Sequence, residues 1–243
     1  MLSISILSWL VLLILAQKLL LCGSSFSVEH ALSCPKGGFP IIRHNEIRDV
    51  TANLLTEVCH EVSIEPDLQP VTGETFQGAS AITQDGVRLD VAMSGFWGGR
   101  HERTFCDVRV FNPHARSNRN TNLTACCQKH ERLKKNAYEQ RAREVEHASF
   151  PPLVFSATGG FGTEAITFYK RLACLLASKR DDPYNRTISW LRCRLTFSLL
   201  RSSIRCIRCL CVCRYALKTQ IPTSSGKYKK EITSERLWDP KKS

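Results

Sequence analysis

The sequence lacks internal repeats and the biased composition that marks disordered or collagen-like chains. Apolar residues make up 43% and charged residues 23% of its 243 residues, as in an ordinary folded protein. A chain of this length is too short to hold a polymerase together with its own nuclease. We therefore expect at most two small domains around one substantial core.

The sequence also lacks the dense cysteine spacing of a disulfide scaffold. Its twelve cysteines are irregularly spaced, and the adjacent Cys126 and Cys127 cannot easily bridge each other. The four cysteines from Cys206 to Cys213 have no histidine or second cysteine pair at zinc-finger spacing. We expect reduced thiols in a reducing compartment. At the cluster we expect a helix end and an unstructured tail, with soft-metal binding or acylation as the alternative.

The apolar N-terminus lacks the basic start and the small-residue cleavage site of a standard signal peptide. Only one residue between positions 6 and 15 is polar, and Lys18 interrupts the run that follows. This length suits a signal sequence or a marginal membrane anchor, so membrane contact by residues 1–21 and secretion form one alternative. Triplets beginning at Asn122 and Asn185 match glycosylation acceptors and fit that alternative.

Acidic residues are scarce towards the C-terminus. Residues 186–243 hold 14 lysines and arginines against three acids, whereas residues 23–185 hold 19 of each sign. The net charge of +12 at pH 7 therefore comes almost wholly from the C-terminal segment. Such a segment suits phosphate backbones or anionic membranes, and a solvated tail without a partner is the alternative.

Hydrophobic periodicity and turn residues predict the secondary structure. We expect helices at residues 46–60, 123–147, 163–178 and 187–208, and strands at 62–65, 87–96, 104–111 and 153–155. The second and third strands are joined by a short Trp-Gly-Gly-Arg-His segment and should form a hairpin. The order helix, three strands, helix, strand, helix predicts an α/β fold with a mixed central sheet flanked by helices.

Two aspartates, Asp90 and Asp107, are embedded in the apolar hairpin strands. A buried carboxylate is unfavourable unless it is paired or binds a cation, and a hairpin brings both to one edge of the sheet. Two hard oxygen ligands with waters suit Mg²⁺ or Mn²⁺, and Glu46 and Glu65 would add further oxygens. The alternative is that these acids are salt-bridge partners or loop-edge residues.

Basic side chains follow the second aspartate. Arg109 is two residues beyond Asp107 and therefore points to the same face of its strand. On the next predicted helix, His130, Lys134 and Tyr138 recur every four residues and line one side. These cations are candidates to face a scissile phosphate, and a solvated helix face is the alternative.

A second basic stripe lies on the last predicted helix. It consists of Arg194, Arg201, Arg205 and Arg208, at near-helical spacing. Together with the stripe that contains His130 and Tyr138, it predicts contacts to the phosphates of DNA.

The order of these acids resembles a known nuclease pattern. Glu46, Leu89-Asp90 and Asp107-Val-Arg109 follow one another as in the PD-(D/E)XK, or restriction-like, endonucleases. A wider series is similar to the endonuclease region that follows the reverse transcriptase in site-specific LINE-type retrotransposons. Its segments are His44-Asn-Glu-Ile-Arg-Asp49, Ile64-Glu-Pro66, Lys129-His-Glu-Arg-Leu-Lys134, Tyr138 and Pro152-Leu-Val-Phe-Ser156. The resemblance covers about residues 22–208.

The resemblance implies a restriction-endonuclease-like fold that nicks DNA to prime insertion of a retroelement, with its RNA template as a further partner. By it, Glu46, Asp90 and Asp107 hold the divalent metal. Arg109 stands where the family has lysine and offers only charge, because a guanidinium does not transfer protons. Related nucleases supply the lysine from the neighbouring helix, which points to Lys134 first and Lys135 second. Leu89 replaces the family's proline.

The same family carries a zinc knuckle upstream of the nuclease. Cys22, His30 and Cys34 match three of its ligands, but the fourth position falls in the leucines at 19–21. Structural zinc sites almost always need four ligands, so we expect a degenerate zinc knuckle.

These patterns predict five segments and three candidate functions. The segments are an apolar and possibly foreign stretch (1–21), the degenerate knuckle (22–38), a nuclease-like core (39–185), an arginine-rich amphipathic helix (186–213) and a basic tail (214–243). The first candidate is a metal-dependent DNA endonuclease, in the nucleus or cytoplasm. The others are a catalytically inactive DNA-binding remnant and a secreted or membrane-anchored protein.

Overall fold

The structure is a computed structural model that describes residues 27–34, 39–68 and 88–218. The elements are α1 (Val28–Ser33), α2 (Phe39–Leu55), β1 (His60–Ile64), β2 (Val91–Ser94), β3 (Arg103–Phe111), α3 (Leu123–Glu144), β4 (Pro152–Ser156), α4 (Thr163–Arg180) and α5 (Tyr184–Lys218). Helices flank a mixed sheet, and the prediction of an α/β fold is confirmed.

The four strands form one sheet in the order β1-β2-β3-β4. β1 pairs with β2 and β2 with β3 in antiparallel fashion, whereas β3 and β4 are parallel. The β2–β3 pair is the predicted hairpin, with Val91 opposite Cys106 and Ser94 opposite Arg103. Parallel neighbours need a crossover connection, and α3 supplies it between β3 and β4.

Alternate residues of β3 face opposite sides of the sheet. Cys106 and Val108 pack in the larger core against α2, α4 and α5, whereas Phe105 packs in a second core that includes Tyr138 of α3. Asp107 continues the alternation from Phe105, so it lies on the α3 side, and Arg109 follows it there. The prediction that Asp107 and Arg109 share a face is confirmed.

The larger core holds the sheet against three helices. Phe96, Phe155 and Phe168 are fully buried in it, and the rings of Phe96 and Phe168 stack at 4.3 Å between centroids. Burying a side chain of this size stabilises the fold by roughly 1.5–3 kcal/mol. The central strands are therefore a rigid base for the polar side chains on their other face.

Two helices are longer than the sequence pattern predicts. α2 begins at Phe39 rather than residue 46, because Pro40 falls in the first turn, where the missing N–H has no helical partner to lose. α5 runs for 35 residues to Lys218, since residues 184–218 contain no glycine or proline to end it. The predicted boundary of the tail at residue 214 therefore falls within a helix.

Some predictions concern residues that the structure does not describe: the apolar segment 1–21, Cys22, and the part of the tail beyond Lys218. No helix in the described ranges combines the length and hydrophobicity needed to span a bilayer. Cys59, Cys106 and Cys127 are buried thiols. Burial raises the pKa of Cys59 and Cys127 to about 11, so both stay protonated at neutral pH.

Candidate functional site

Asp90 stands where the pairing of β2 with β3 ends. The last ladder pair is Val91 opposite Cys106, and the N–H of Val108, two residues further along β3, donates to Asp90 Oδ2 at 2.6 Å. The other oxygen, Oδ1, lies 2.9 Å from Nε2 of His44 on α2. The carboxylate is fixed by two partners, and each oxygen retains a second lone pair for a cation.

Asp107, on the neighbouring strand, is one of the few buried acids of the fold. Its side chain is 8% exposed, and its Oδ2 lies 2.7 Å from Nζ of Lys134 on α3. Burial raises the pKa of Asp107 to about 6, since the opposing effect of Lys134 is smaller and the negative charge of Asp90 adds to the rise. Asp90 and Asp107 thus interact electrostatically, as expected if they share one site.

Lys134 is the lysine that reaches Asp107. Its ammonium lies between Asp107 and the ring of Tyr138, 5.4 Å from the ring centroid. Tyr138 is buried and packs against Phe150 in the second core, inside the fold rather than on the surface where DNA would bind. Lys135, the second choice, turns to the adjacent helix and pairs with Glu164 Oε1 at 2.5 Å. The structure therefore separates the roles of the two lysines.

His130 and Arg109 line a cavity of about 540 Å³ beside these acids, and His44 lines it too. The His130 ring packs 4.7 Å from the ring of Phe111, and its Nε2 is buried without a hydrogen-bond partner in the described residues. Burial lowers the pKa of His130, and the nearby cations Arg109, Lys129 and Lys134 lower it further. The side chain of Arg109 is exposed at the cavity wall.

Glu46, the third predicted metal ligand, does not join Asp90 and Asp107. It faces α5, where its carboxylate accepts hydrogen bonds from Ser198, Arg201 and Ser202. Burial raises the pKa of Glu46, but these hydrogen bonds outweigh it and hold the pKa below its usual value. Glu46 lies at the edge of the apolar stripe of α2, and α5 packs against that edge. This contact is set by a helix more than 150 residues away, which the stripe alone does not predict.

Glu65, the fourth candidate ligand, lies beside Asp90 through its backbone only. Its N–H donates to the carbonyl of Asp90 at 2.9 Å, just beyond the end of β1. Its side chain is half exposed and pairs with Arg48 and Arg88 instead. The side chain of Glu65 is therefore a salt-bridge partner, which is the alternative to a metal ligand stated for these acids.

The metal-binding potential of the site therefore rests on two carboxylates. Within the described ranges, no group of three or more His, Cys, Asp or Glu side chains is arranged to hold a metal ion. Mg²⁺ keeps several waters and often uses only one or two protein carboxylates in addition to substrate phosphates, so Asp90 and Asp107 are the remaining candidates among the predicted ligands. Such a pair leaves open coordination positions, as a catalytic ion requires.

The remaining predicted residues lie in two other regions, at α1 and on α5. Of the zinc knuckle, His30 lies on α1 and Cys34 follows that helix in a small apolar cluster with Ala31. On α5, Arg194 is exposed above the ring of Trp190, but Arg201 and Arg205 pair with Glu46. The side chain of Arg208 lies outside the described residues.

The sequence patterns do not identify two residues of the site. His44 pairs with Asp90 across 46 residues of sequence, and Arg43 next to it lines the cavity although it is only 2% exposed. The sequence offers one signal for Arg43, a charged residue at a position of α2 that faces inward with Ile47 and Thr51. No local pattern predicts the contact of His44.

Comparison with known proteins adds no assignment: no protein-family model matches the sequence, and no curated protein shows significant similarity to it.

Proposed function

We propose that this chain is a metal-dependent DNA endonuclease of the restriction-like type, derived from a retrotransposon. The observation that carries this proposal is the pair of carboxylates Asp90, immediately before β2, and Asp107, on the adjacent strand β3, with Lys134 against the second. The sequence resemblance to the endonuclease region of LINE-type elements assigns the same three residues to its active site. A protein of this kind acts on genomic DNA, so we expect it in the nucleus or cytoplasm.

The residues have distinct roles in this proposal. Asp90 and Asp107 hold Mg²⁺ or Mn²⁺, which when bound polarises the phosphodiester and lowers the pKa of the attacking water. Lys134 holds its ammonium at the same carboxylate, close to where charge develops on the phosphate. Arg109 adds a permanent charge at the cavity wall, because its guanidinium stays protonated.

DNA is the expected substrate because the basic groups near the acids suit a phosphate backbone. Lys134, Arg109 and His130 lie on one side of the sheet, and the chain as a whole carries a net charge of +12. Electrostatic attraction of this kind gives affinity that falls steeply with salt. The RNA template of a retroelement would satisfy the same basic surface.

A catalytically inactive DNA-binding protein is the second candidate, and one observation favours it. The third acid of the family pattern, Glu46, is committed to Arg201 and two serines on α5. A site with two acids has fewer protein ligands for its ion than the pattern provides. A protein of this second kind would still bind the phosphates of DNA but would not cleave it.

Nicking of a supercoiled plasmid by the full chain tests the proposal. We expect nicking with Mg²⁺ and none with EDTA. Asp107→Asn and Asp90→Asn should each lower the rate by at least about a hundredfold, because each removes a ligand charge. Asp67→Asn is the control, since this aspartate is 75% exposed and pairs with Arg88 rather than with a partner of the acidic pair.

DNA binding measured in the same samples separates the candidates. Retained binding by Asp107→Asn together with lost nicking supports the endonuclease. A clean wild-type protein that binds DNA but never nicks it supports the inactive remnant instead. A wild-type protein with no affinity for DNA at low salt would overturn both.

A further inference from the structure

The cavity beside the acidic pair is lined by basic side chains and by no acidic ones. It lies where the end of β3 passes α1, α2 and the first turns of α3, and it has a volume of about 540 Å³. Four of its lining side chains are basic: Arg43, His44, Arg109 and His130. None of the residues that line it is an aspartate or glutamate. A cavity of this size is within the range of small-molecule sites, roughly 300–1,000 Å³.

Arg43 is the most unusual of the four. It is 2% exposed, and its Nη2 donates to the carbonyl of Leu32 at 3.1 Å. Its Nε and Nη1 have no hydrogen-bond partner in the described residues. Burial lowers the pKa of Arg43, and the nearby Cys206 opposes this shift. No carboxylate of the described residues pairs with this guanidinium, and a buried guanidinium is strongly unfavourable without an anion. A bound anion would supply the missing charge and acceptors.

The other basic groups of the cavity are also available to an anion. No carboxylate of the described residues pairs with Arg109, and the buried Nε2 of His130 has no partner there. Burial lowers the pKa of His130, and the charges of Arg109, Lys129 and Lys134 lower it further, so the ring is neutral at pH 7 and can donate one N–H to an anion. His44 already contacts Asp90, so it joins the cavity to the acidic pair.

The opposite wall of the cavity is fixed before any ligand binds. The side chain of Asn112 donates to the carbonyl of Glu29 at 2.9 Å and to Ser33 Oγ at 2.8 Å. Asn118 closes the turn by donating to the carbonyl of Asn112 at 2.9 Å. These bonds tie the chain after β3 to α1. Preorganised walls lower the entropy lost when a ligand binds.

We propose that this cavity binds the phosphate group of a nucleotide, held by Arg43, Arg109 and His130. Apolar side chains on the walls, such as Phe111, suit the sugar and base attached to that phosphate. The identification of the ligand as a nucleotide rests on the proposed endonuclease function. The cavity itself adds a phosphate-binding site next to the metal site, where it would position a strand relative to the acids.

Binding of a labelled 5′-phosphorylated oligonucleotide to the full chain, in EDTA, tests this site without the metal. We expect the same oligonucleotide without its phosphate to bind at least about tenfold more weakly, as for one lost charge-assisted contact of about 1.4 kcal/mol. Arg109→Gln should remove most of that difference. Arg132→Gln, an exposed arginine on α3, is the matched control and should leave it unchanged.

Arg43→Met tests the buried guanidinium directly, but a substitution at this buried position can prevent folding. The ring resonances of His130 in the wild-type protein give an independent readout, because they should shift when phosphate fills the cavity. Competition against the labelled oligonucleotide distinguishes the source of the ligand. Displacement by inorganic phosphate and by a mononucleotide indicates that the phosphate group alone is recognised. Displacement only by an unlabelled phosphorylated strand indicates that the cavity binds a strand end. Each of these results supports the site.

Equal binding of the phosphorylated and unphosphorylated oligonucleotides, with His130 unshifted, would overturn the inference. That failure is distinguishable from failure of the endonuclease proposal. Plasmid nicking that persists without phosphate-dependent binding removes only the cavity site. Phosphate-dependent binding without nicking leaves the cavity site intact and removes only the nuclease.

Discussion

The ammonium of Lys134 lies 2.7 Å from Oδ2 of Asp107, and this ion pair joins α3 to the middle of β3. The pair is partly shielded from water, since the lysine side chain is 24% and the aspartate side chain 8% exposed. This geometry agrees with the proposal that Lys134, on the neighbouring helix, takes the role of the lysine whose family position is occupied by Arg109. The first prediction follows from this contact.

Lys134→Met should reduce Mg²⁺-dependent nicking by at least about a hundredfold, the lower range for a lost acid–base group. Loss of the ammonium also raises the pKa of Asp107, because Lys134 is its main stabilising partner. The carboxylate must be deprotonated to bind metal, so remaining activity should need more Mg²⁺ and a higher pH. Nicking rates measured across pH and Mg²⁺ concentration check both effects.

Two further variants define the role of this lysine. Lys135→Met should nick at close to the wild-type rate, because Lys135 is paired with Glu164. Lys134→Arg keeps the charge but cannot release a proton at neutral pH. Activity rescued by arginine means that Lys134 acts by charge, and no rescue means proton transfer. Equal losses in Lys134→Met and Lys135→Met would contradict the assignment.

Glu46 provides the second prediction, because the structure and the sequence resemblance assign it different roles. Glu46→Gln should destabilise the fold by roughly 1–3 kcal/mol, since it weakens charge-assisted hydrogen bonds from α5 to a half-buried carboxylate. Nicking per folded molecule should change by less than about twofold if the structural role is the whole role. Urea unfolding and nicking on the same preparation measure the two effects.

A double-mutant cycle sharpens this test. Arg201→Gln alone should also destabilise the fold, and its effect should not add to that of Glu46→Gln if the two side chains interact. Loss of nicking in Glu46→Gln to the level of Asp107→Asn, with stability unchanged, would instead make Glu46 a metal ligand.

The contrast between Asp107 and Glu46 shows how far the sequence predicts this site. The two-residue repeat of a strand is local, so the sequence alone puts Asp107 and Arg109 on one face and also predicts the hairpin with Asp90. The partner of a helix edge is not local. Glu46 meets residues of α5, and His44 meets Asp90, through packing that joins distant segments. The predicted ends of α2 and α5 differ from the structure for a simpler reason: hydrophobic periodicity marks helix boundaries poorly.

The buried position of Asp107 provides the third prediction, on stability in the absence of metal. Its pKa of about 6 in the folded protein lies above the usual value near 3.8, so the folded state binds this proton more tightly. The stability that Asp107 contributes is complete below about pH 4, and it is lost as the pH rises to about 6. Asparagine does not ionise, so Asp107→Asn does not lose this stability as the pH rises. The variant should therefore gain stability relative to wild type over that range, by on the order of 2 kcal/mol.

Urea unfolding of both proteins in EDTA, at intervals from pH 4 to pH 7.5, measures the gain. The informative quantity is the difference in unfolding free energy between the two proteins at each pH. His130 has a lowered pKa, so its titration changes the stability of both proteins in the opposite direction and cancels in the difference. Asp67→Asn, which replaces an exposed carboxylate, is the control. Addition of Mg²⁺ should reverse the effect by stabilising wild type and not Asp107→Asn, because a ligand that binds only the folded state stabilises it. A difference that stays constant with pH would mean that Asp107 keeps an ordinary pKa and is not the buried, ion-binding carboxylate that the endonuclease proposal requires.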